Sequence, residues 1–324
     1  YVDRHILPEV RAPRFPDRDF VITAFGAVGD GVTPATAALR DAIDACHAAG
    51  GGRVVVPAGT FLTGAVHLKD DVNLHVAEGA TLLFSTDPDD YLPLVLTRYE
   101  GIEVLNYSPM IYARSCRNVA ITGAGTLDGQ GGWDTWWDWF HRCDDDFARL
   151  RRMAAEGTPV PQRVFGPGSV LRSSFVQPFD CSGVLVEGVT IVRSPFWVVH
   201  PVLCRNVTIR DVRVDSEGPN NDGIDLESCR SVVVRGCDLR AGDDSIAIKS
   251  GREEDGLRIG VPSEDILIED CTITTKYGAI TIGSDMTGGA RRVYVRDCEI
   301  GSPTLYFGLY IKTNSVRGGF AEDV

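Results

Sequence analysis

A six-residue block that recurs five times in the second half of the chain constrains the fold more than any other feature. Its first copy is Val186-Glu-Gly-Val-Thr-Ile191, and the others begin at Ile209, Val234, Ile268 and Val295. The starts lie 23, 25, 34 and 27 residues apart. Repeats of roughly 20–30 residues, with short β-type blocks and no helix between them, are typical of solenoids. The repeat therefore predicts an all-β chain wound as a parallel β-helix.

A second block recurs in the same phase. Residues 223–228 read Gly-Ile-Asp-Leu-Glu-Ser, and matching blocks occupy 245–250, 279–284 and 308–313. The second and fourth positions are always Ile or Leu, so we expect them to face the core, and the third and fifth to point outward. Stacked coils would align the outward positions in columns about 4.8 Å apart. The coil is expected to be right-handed. An open antiparallel sandwich is the alternative.

The N-terminal part fits the same architecture. An Ala-rich run from Thr33-Pro34 to Ala49 predicts a short helix that caps the end of the stack, with Gly50 to Gly52 ending it. Residues 54–57, 72–76 and 81–84 are predicted as further coil strands. We interpret the whole chain, residues 1–324, as a single parallel β-helix domain.

Two stretches interrupt the regular pattern. Residues 133–177 hold four of the five Trp, several Pro and a basic cluster. We interpret this stretch as a long loop excursion beside the groove, or equally as packing over the side of the coil. The last residues, 320–324, resemble the start of another coil. We therefore expect further coils and a cap beyond the given chain, or a partner covering the edge.

Composition excludes several functions. Lys and Arg total 32 and Asp and Glu total 45, a formal net charge of −13, which argues against general nucleic-acid binding. No apolar stretch approaches the ~18 residues of a membrane span. Any acidic ligand would need a local basic site. The chain has nine cysteines without a CxxC motif, and we interpret Cys237, Cys271 and Cys298, at one repeat position, as small core residues.

The compartment stays open at this point. No signal-peptide pattern opens the given chain, and free thiols favour a reducing compartment weakly. A removed leader would be equally consistent with the sequence.

Three carboxylates are predicted to meet on one outer surface. Asp222 precedes one copy of the second block, and Asp243 and Asp244 precede the next copy, one coil on. Like charges this close are unfavourable unless one holds a proton or the group binds something. A protonated carboxyl beside an ionised one is the arrangement that acid/base hydrolysis uses. Lys249 and Lys312 fall on neighbouring outward positions and could hold a substrate carboxylate. Two alternatives remain, namely ordinary Asp residues in turns and a calcium site.

Several segments resemble glycoside hydrolase family 28, the polygalacturonases. The most specific are Asn220-Asn-Asp-Gly-Ile-Asp225 and Gly242-Asp-Asp-Ser-Ile-Ala-Ile-Lys-Ser-Gly251. Others resemble further family segments in order along nearly the whole chain, at 25–31, 56–61, 194–201, 282–289 and 311–319.

The resemblance implies an inverting hydrolase of α-galacturonide bonds in pectic polysaccharides, of the bacterial exo-acting type. It implies Asp243 as general acid, Asp222 and Asp244 as the pair that activates water, and no metal or other cofactor. An inverting pair of carboxyls is expected roughly 6.5–9.5 Å apart. The partner would be a pectic poly- or oligosaccharide, with no nucleic acid or membrane. The oligomeric state is left open, and the family also allows secretion.

The chain departs from the family pattern at two positions. Tyr277 stands where the family usually has the His of Gly-His-Gly, and Tyr310 replaces the Arg of Arg-Ile-Lys. These departures favour two alternatives, a rhamnogalacturonan-type or decorated substrate and a β-helix that binds carbohydrate without catalysis. The clustered carboxylates leave a third alternative, a calcium-dependent lyase on the same architecture. The predicted substrate-binding residues are Asn221, His200, Lys249, Tyr277, Tyr310, Lys312 and Arg317.

Overall fold

The repeated blocks stack in register along the faces of a right-handed parallel β-helix. The computed structural model describes all residues from 1 to 324. Each six-residue block proves to be a corner between two faces rather than one strand. Its third residue has a positive φ, from 54° at Asp297 to 77° at Gly188. Gly and Asp adopt this left-handed conformation more readily than bulky residues, which explains their recurrence there.

Two long parallel sheets form the first two faces. The first face has ten strands: Asp19–Val21, Gly52–Val56, Val72–Val76, Arg117–Thr122, Ser182–Glu187, Arg205–Arg210, Arg230–Arg235, Ser263–Glu269, Ala290–Arg296 and Ala321–Glu322. The second has nine: Asp30–Pro34, Gly59–Thr63, Ala80–Phe84, Thr126–Asp128, Thr190–Val192, Arg213–Ser216, Asp238–Ala241, Thr272–Thr274 and Glu299–Ile300. The predicted strands at 54–57, 72–76 and 81–84 are thus confirmed to within two residues.

The third face is the one that holds the predicted site. Its strands are Val66–His67, Ile111–Arg114 and Val176–Phe179, and then Ile224–Glu227, Ile246–Lys249, Gly278–Gly283 and Phe307–Lys312. Single bridges through Val199 and Val202 join the two groups. Ile224 pairs with Ile246, and Ile246 with Ile280, so the predicted alignment of the second block is confirmed.

An α-helix, Thr36–Ala48, packs at the N-terminal end of the stack. Its buried residues Ala38, Leu39, Ala42, Ile43 and Cys46 follow helical spacing and join the main core. The predicted cap is therefore present, but it begins at Thr36, because Pro34 ends a strand of the second face.

One continuous cluster of 61 buried apolar residues fills the coil. Cys237 and Cys271 belong to it and Cys298 packs against it, as predicted, and all nine cysteines are free. A second cluster of ten lies outside the coil, against the third face. It joins an antiparallel hairpin, Val95–Tyr99 and Ile102–Asn106, to the excursion and to Phe196 and Trp197.

The stretch from 133 to 177 contains regular structure that the sequence did not predict. It forms a 3₁₀ helix, Trp136–His141, an α-helix, Asp144–Ala155, a short 3₁₀ turn, Val160–Gln162, and a strand, Val164–Phe165, beside the hairpin. Further short helices are Ile22–Phe25, Pro88–Tyr91 and the α-helix Glu253–Ile259. None of the helices has the length and apolar character needed to cross a membrane.

The first 18 residues form an arm along the outside of the first face. A single π-helical turn, Val2–Ile6, packs Ile6 on Val233 and Leu267. Farther along, the backbone of Arg11 exchanges two hydrogen bonds with the side chain of Asn206. The arm then enters the first strand of the face at Asp19.

Candidate active site

Asp222, Asp243 and Asp244 lie together on the outside of the third face. One carboxylate oxygen of each lies within 4.8 Å of the others. Asp222 and Asp244 occupy equivalent positions of adjacent coils, and Asp243 precedes Asp244 in the chain. The nearest oxygens are therefore closer than the separation of roughly 6.5–9.5 Å that we expected for an inverting pair. Asp222 and Asp244 are buried, whereas Asp243 is half-buried and is the most accessible of the three.

Asn221 fixes the turn that presents Asp222. Its side-chain oxygen accepts hydrogen bonds from the Ser216 hydroxyl, at 2.6 Å, and from the Gly218 backbone, at 3.1 Å. Its amide donates to the carbonyls of Phe196 and Pro219. Because Asn221 is fully buried and its polar atoms are all bound, it supports the turn. The sequence predicts a substrate contact at Asn221, whereas the structure gives its side chain this supporting role.

Lys249 lies beneath the carboxylates. Its ammonium is 3.7 Å from Asp222 and 3.5 Å from Asp225, and it sits 4.5 Å from the centre of the Trp197 ring. Burial alone would lower the pKa of Lys249, but the neighbouring carboxylates Asp222 and Asp225 raise it well above its usual value. The lysine is therefore a fixed cation inside the site, covered from solvent, and it is not positioned as a surface contact for substrate.

One outward column of the third face is buried along most of its length. His200, Asp225, Ala247 and Thr281 occupy one column, and all are fully buried. Asp225 and Thr281 occupy the third position of the second block, which the sequence predicted to point outward, but both side chains are shielded from solvent. These residues do point away from the coil interior, but the hairpin 95–106 and the excursion pack over part of this face and close it from water.

His200 belongs to a buried network and is sealed from solvent. Its Nε2 lies 2.8 Å from the Glu227 carboxylate, and its Nδ1 contacts Ser174 and Gln177. Arg98, from the hairpin, donates to the same Glu227 at 2.9 Å. The prediction of a substrate contact at His200 is therefore wrong in this structure. Arg98 was missed because it lies in no motif, and Glu227 was not singled out although it is the fifth residue of the second block at 223–228.

The remaining predicted residues surround the opening. Tyr277 is 44% exposed, and Tyr310 and Lys312 are half-buried. The Lys312 ammonium lies 3.8 Å from Asp244. Arg317 is already bound to Ser284, Asp285 and Glu253. Of the predicted set, Tyr277, Tyr310 and Lys312 are thus the side chains with surface free to meet a ligand.

The surroundings raise the pKa of two of the three carboxyls, Asp222 and Asp243. The pKa of Asp243 is raised mainly by burial and also by the negative charge of Asp244. Burial, together with the charges of Asp225 and Asp243, raises the pKa of Asp222 well above its usual range. A carboxyl that keeps its proton near neutral pH can act as a general acid toward a leaving group. Three oxygens at this spacing could also accept a divalent cation, which an assay with chelator would detect.

The fold and the site together define a class. This is a right-handed parallel β-helix that carries, on one outer face, a carboxylate cluster of the kind used in acid/base hydrolysis.

Comparison with known proteins gives the family. The family described as "Glycosyl hydrolases family 28" matches residues 171–324, and one described as "Rhamnogalacturonase A/epimerase, pectate lyase-like" matches residues 20–75. A hyperthermoactive exopolygalacturonase from Thermotoga maritima is 47% identical, with a TM-score of 0.96, covering 100% of this chain and 75% of that one. The chain belongs to glycosyl hydrolase family 28.

Curated relatives agree with that placement. A "probable polygalacturonase" of Vitis vinifera is 32% identical over 93% of this chain, and an exo-poly-alpha-D-galacturonosidase of Dickeya chrysanthemi is 29% identical over 94%. The chain spans 58% and 53% of these two relatives' own lengths.

Proposed function

We propose that this chain hydrolyses α-galacturonide bonds in pectic poly- or oligosaccharides and removes units from chain ends. The carboxylate cluster of Asp222, Asp243 and Asp244 carries this proposal. It lies on the accessible side of the third face, in a family whose similar members are named as polygalacturonases.

Each carboxylate has a proposed role. Asp243 is the general acid, because it is the most accessible of the three and its pKa is raised by burial. Asp222 and Asp244 activate the water, with the Lys249 ammonium 3.7 Å from Asp222 and the Lys312 ammonium 3.8 Å from Asp244. Lys312 is half-exposed, so it is the cation that a substrate carboxylate could share.

The position of the excursion supports action at chain ends. The Arg172 guanidinium donates to Asn220 and to the carbonyl of Pro219, in the turn that leads to Asp222. Trp137 donates to the Ser194 carbonyl of the preceding coil. The excursion is therefore anchored at the edge of the carboxylate cluster, where it could close one end of a groove. The names of the Thermotoga and Dickeya relatives point the same way.

The test is a product assay on a panel of pectic oligosaccharides, comparing the wild type with Asp243→Asn. We expect saturated products, released one end-unit at a time, and a loss on the order of 10²-fold or more in the variant. Asp41→Asn, on an exposed side of the capping helix, is the matched control and should retain full activity. Random mid-chain cuts would rule out action at ends. Proton NMR of the first product gives the anomeric configuration and so decides inversion.

A second substrate class is favoured by Tyr277 and Tyr310. Tyrosine cannot supply the positive charge of His or Arg at these places, and aromatic rings can pack against uncharged sugar faces. A rhamnogalacturonan-type or decorated oligomer cleaved faster than oligogalacturonate would establish this alternative. Tight binding without product would point to a carbohydrate-binding β-helix. Unsaturated products abolished by chelator would point to a lyase.

A further inference from the structure

Three aromatic side chains stand together on the outer surface of the excursion. Trp133 is 55% exposed and Phe140 is 39% exposed, and His141 is also exposed. The His141 ring stacks on Trp133, with 5.2 Å between the ring centres, and its centre lies 5.3 Å from that of Phe140. We call these three residues the aromatic platform. Isolated apolar side chains are common on protein surfaces, whereas an exposed cluster of them marks a binding surface.

One set of contacts connects the platform to the turn that presents Asp222, residues 217–222. The Trp137 ring lies 6.0 Å from the Trp133 ring, at 75° to it. Trp137 packs in turn on the backbone of Gly218, so closely that a methyl group added to this glycine would overlap the indole. The platform therefore reaches the turn through Trp137.

Gly218 also contacts the segment that carries the proposed general acid. A methyl group added to Gly242 would overlap the carbonyl of Gly218, so the two backbone segments are in close contact. Asp243 is the next residue in the chain. Trp137 and the backbone that precedes Asp243 therefore pack on the same glycine.

A second connection runs through Arg172. Its guanidinium lies 5.5 Å from the centre of the Phe140 ring. The same guanidinium donates hydrogen bonds of 2.7 Å to the Pro219 carbonyl and to the Asn220 side chain, both in the turn. The platform is therefore held against the turn at two points, beside the carboxylate cluster.

The platform offers a flat apolar surface and little charge. The charged residues beside it in the sequence are Asp134, Asp138 and Arg142, and Arg142 is paired with Asp138 at 3.0 Å. Arg172 is already bound to the turn. A substrate carboxylate therefore finds no free arginine or lysine among these groups, whereas the C–H face of a pyranose ring can pack on an indole without one.

We propose that the aromatic platform is a sugar-binding subsite, where Trp133 stacks against one pyranose unit of the pectic chain while the bond to be cleaved lies at Asp243. No bond is made or broken at the platform, so it contributes to the affinity for the chain and not to the chemical step. This inference rests on the proposed function, which supplies the identity of the ligand.

The test measures the binding of an oligogalacturonate by titration calorimetry, in an Asp243→Asn background that does not consume the ligand. Adding Trp133→Ala should raise the Kd on the order of 10-fold, because the stacking surface is lost. Trp133→Phe keeps a ring, so its Kd should stay within about threefold of that of the parent. Tyr1→Ala is the matched control, because Tyr1 is also 55% exposed but lies on the N-terminal arm, and its Kd should not change.

Two further readouts separate stacking from other effects. The ratio of the Kd of Trp133→Ala to that of the parent should be the same at about 50 mM and about 500 mM salt, because stacking involves no ion pair. In the active enzyme, Trp133→Ala should raise KM on the order of 10-fold with little change in kcat, as expected when binding is lost equally from the ground state and the transition state. A ratio that collapses at high salt, or a Kd that Trp133→Ala leaves unchanged, would overturn the proposal. Unfolding curves establish that each variant is folded.

The outcomes distinguish the subsite from the proposed function. If the wild type cleaves no pectic substrate but Trp133→Ala still weakens the binding of oligogalacturonate, the proposed hydrolysis fails while the subsite stands. If the wild type cleaves substrate and the affinity does not depend on Trp133, the subsite fails alone. An unchanged Kd together with a smaller assembly in sedimentation would overturn the subsite and make the platform an interface between copies of this chain.

Discussion

Glu227 should make the stability of this protein depend on pH in a defined window. The side chain is fully buried between Arg98 and His200. Burial alone would raise the pKa of Glu227, but the charge of Arg98 and the hydrogen bonds from both partners outweigh it and lower the pKa from 4.5 to about 2. The folded protein therefore binds this proton less tightly than the unfolded chain.

The magnitude follows from that shift. Because the pKa of Glu227 falls from 4.5 in the unfolded chain to about 2 in the folded protein, its ionisation contributes about 3 kcal/mol to the free energy of unfolding at pH 7. Because the folded pKa is the lower one, this contribution is complete above pH ~4.5 and is lost as the pH falls toward ~2. At pH 3 about 1.4 kcal/mol of it should remain.

The assay is denaturant unfolding of the wild type and Glu227→Gln at pH 7 and pH 3. Gln stands in for the protonated acid, so the difference in unfolding free energy should be about 3 kcal/mol at pH 7 and about half of that at pH 3. Glu187→Gln is the control, since Glu187 pairs with Arg210 at the surface and should change stability by less than about 1 kcal/mol. A Glu227→Gln variant as stable as the wild type at pH 7, or a difference that does not shrink on acidification, would refute this reasoning.

Two further predictions concern the opening of the site. Gly278→Ala should lower kcat on the order of 10-fold or more. The added methyl would lie 2.0 Å from the Thr281 hydroxyl and 2.6 Å from an oxygen of Asp244. The control is Gly301→Ala, where the new methyl meets open space and steady-state kinetics should not change. Tyr310→Arg should lower KM for oligogalacturonates roughly 5- to 10-fold, because it adds a cation near Lys312 on the same strand. An unchanged KM would show that residue 310 does not contact the substrate carboxylate.

The sequence predicted the register of the coils because the physics behind it is local. Alternating apolar residues decide which side of a strand faces the core, and the recurring Gly or Asp marks the corner. The neighbouring positions of Asp222 and Asp244 follow directly from that register, and so does the presence of Asp243 beside them. The positions of these three carboxylates could therefore be predicted from the repeat alone.

The buried shell behind the site could not be predicted in the same way. Alternation indicates that His200 and Asp225 point away from the coil, but not whether water reaches them. That depends on the hairpin 95–106 and on the excursion, which are distant in sequence and show no repeat. Arg98 reaches Glu227 across 129 residues of chain, so local spacing gave no signal for the pair.

The N-terminal arm alters how such a stack should come apart. A solenoid whose coils touch only their neighbours can open from one end, coil by coil. Here the side chain of Tyr1 packs on Tyr294 and that of Ile6 packs on Val233. At the other end of the arm, the backbone carbonyl of Arg18 accepts a hydrogen bond from the backbone N–H of Arg53, in the second strand of the first face. Coils that are far apart in the stack are thereby joined by one covalent segment. We expect unfolding to be more cooperative than a chain of nearest-neighbour contacts would allow, so that loss of the arm would separate one transition into several.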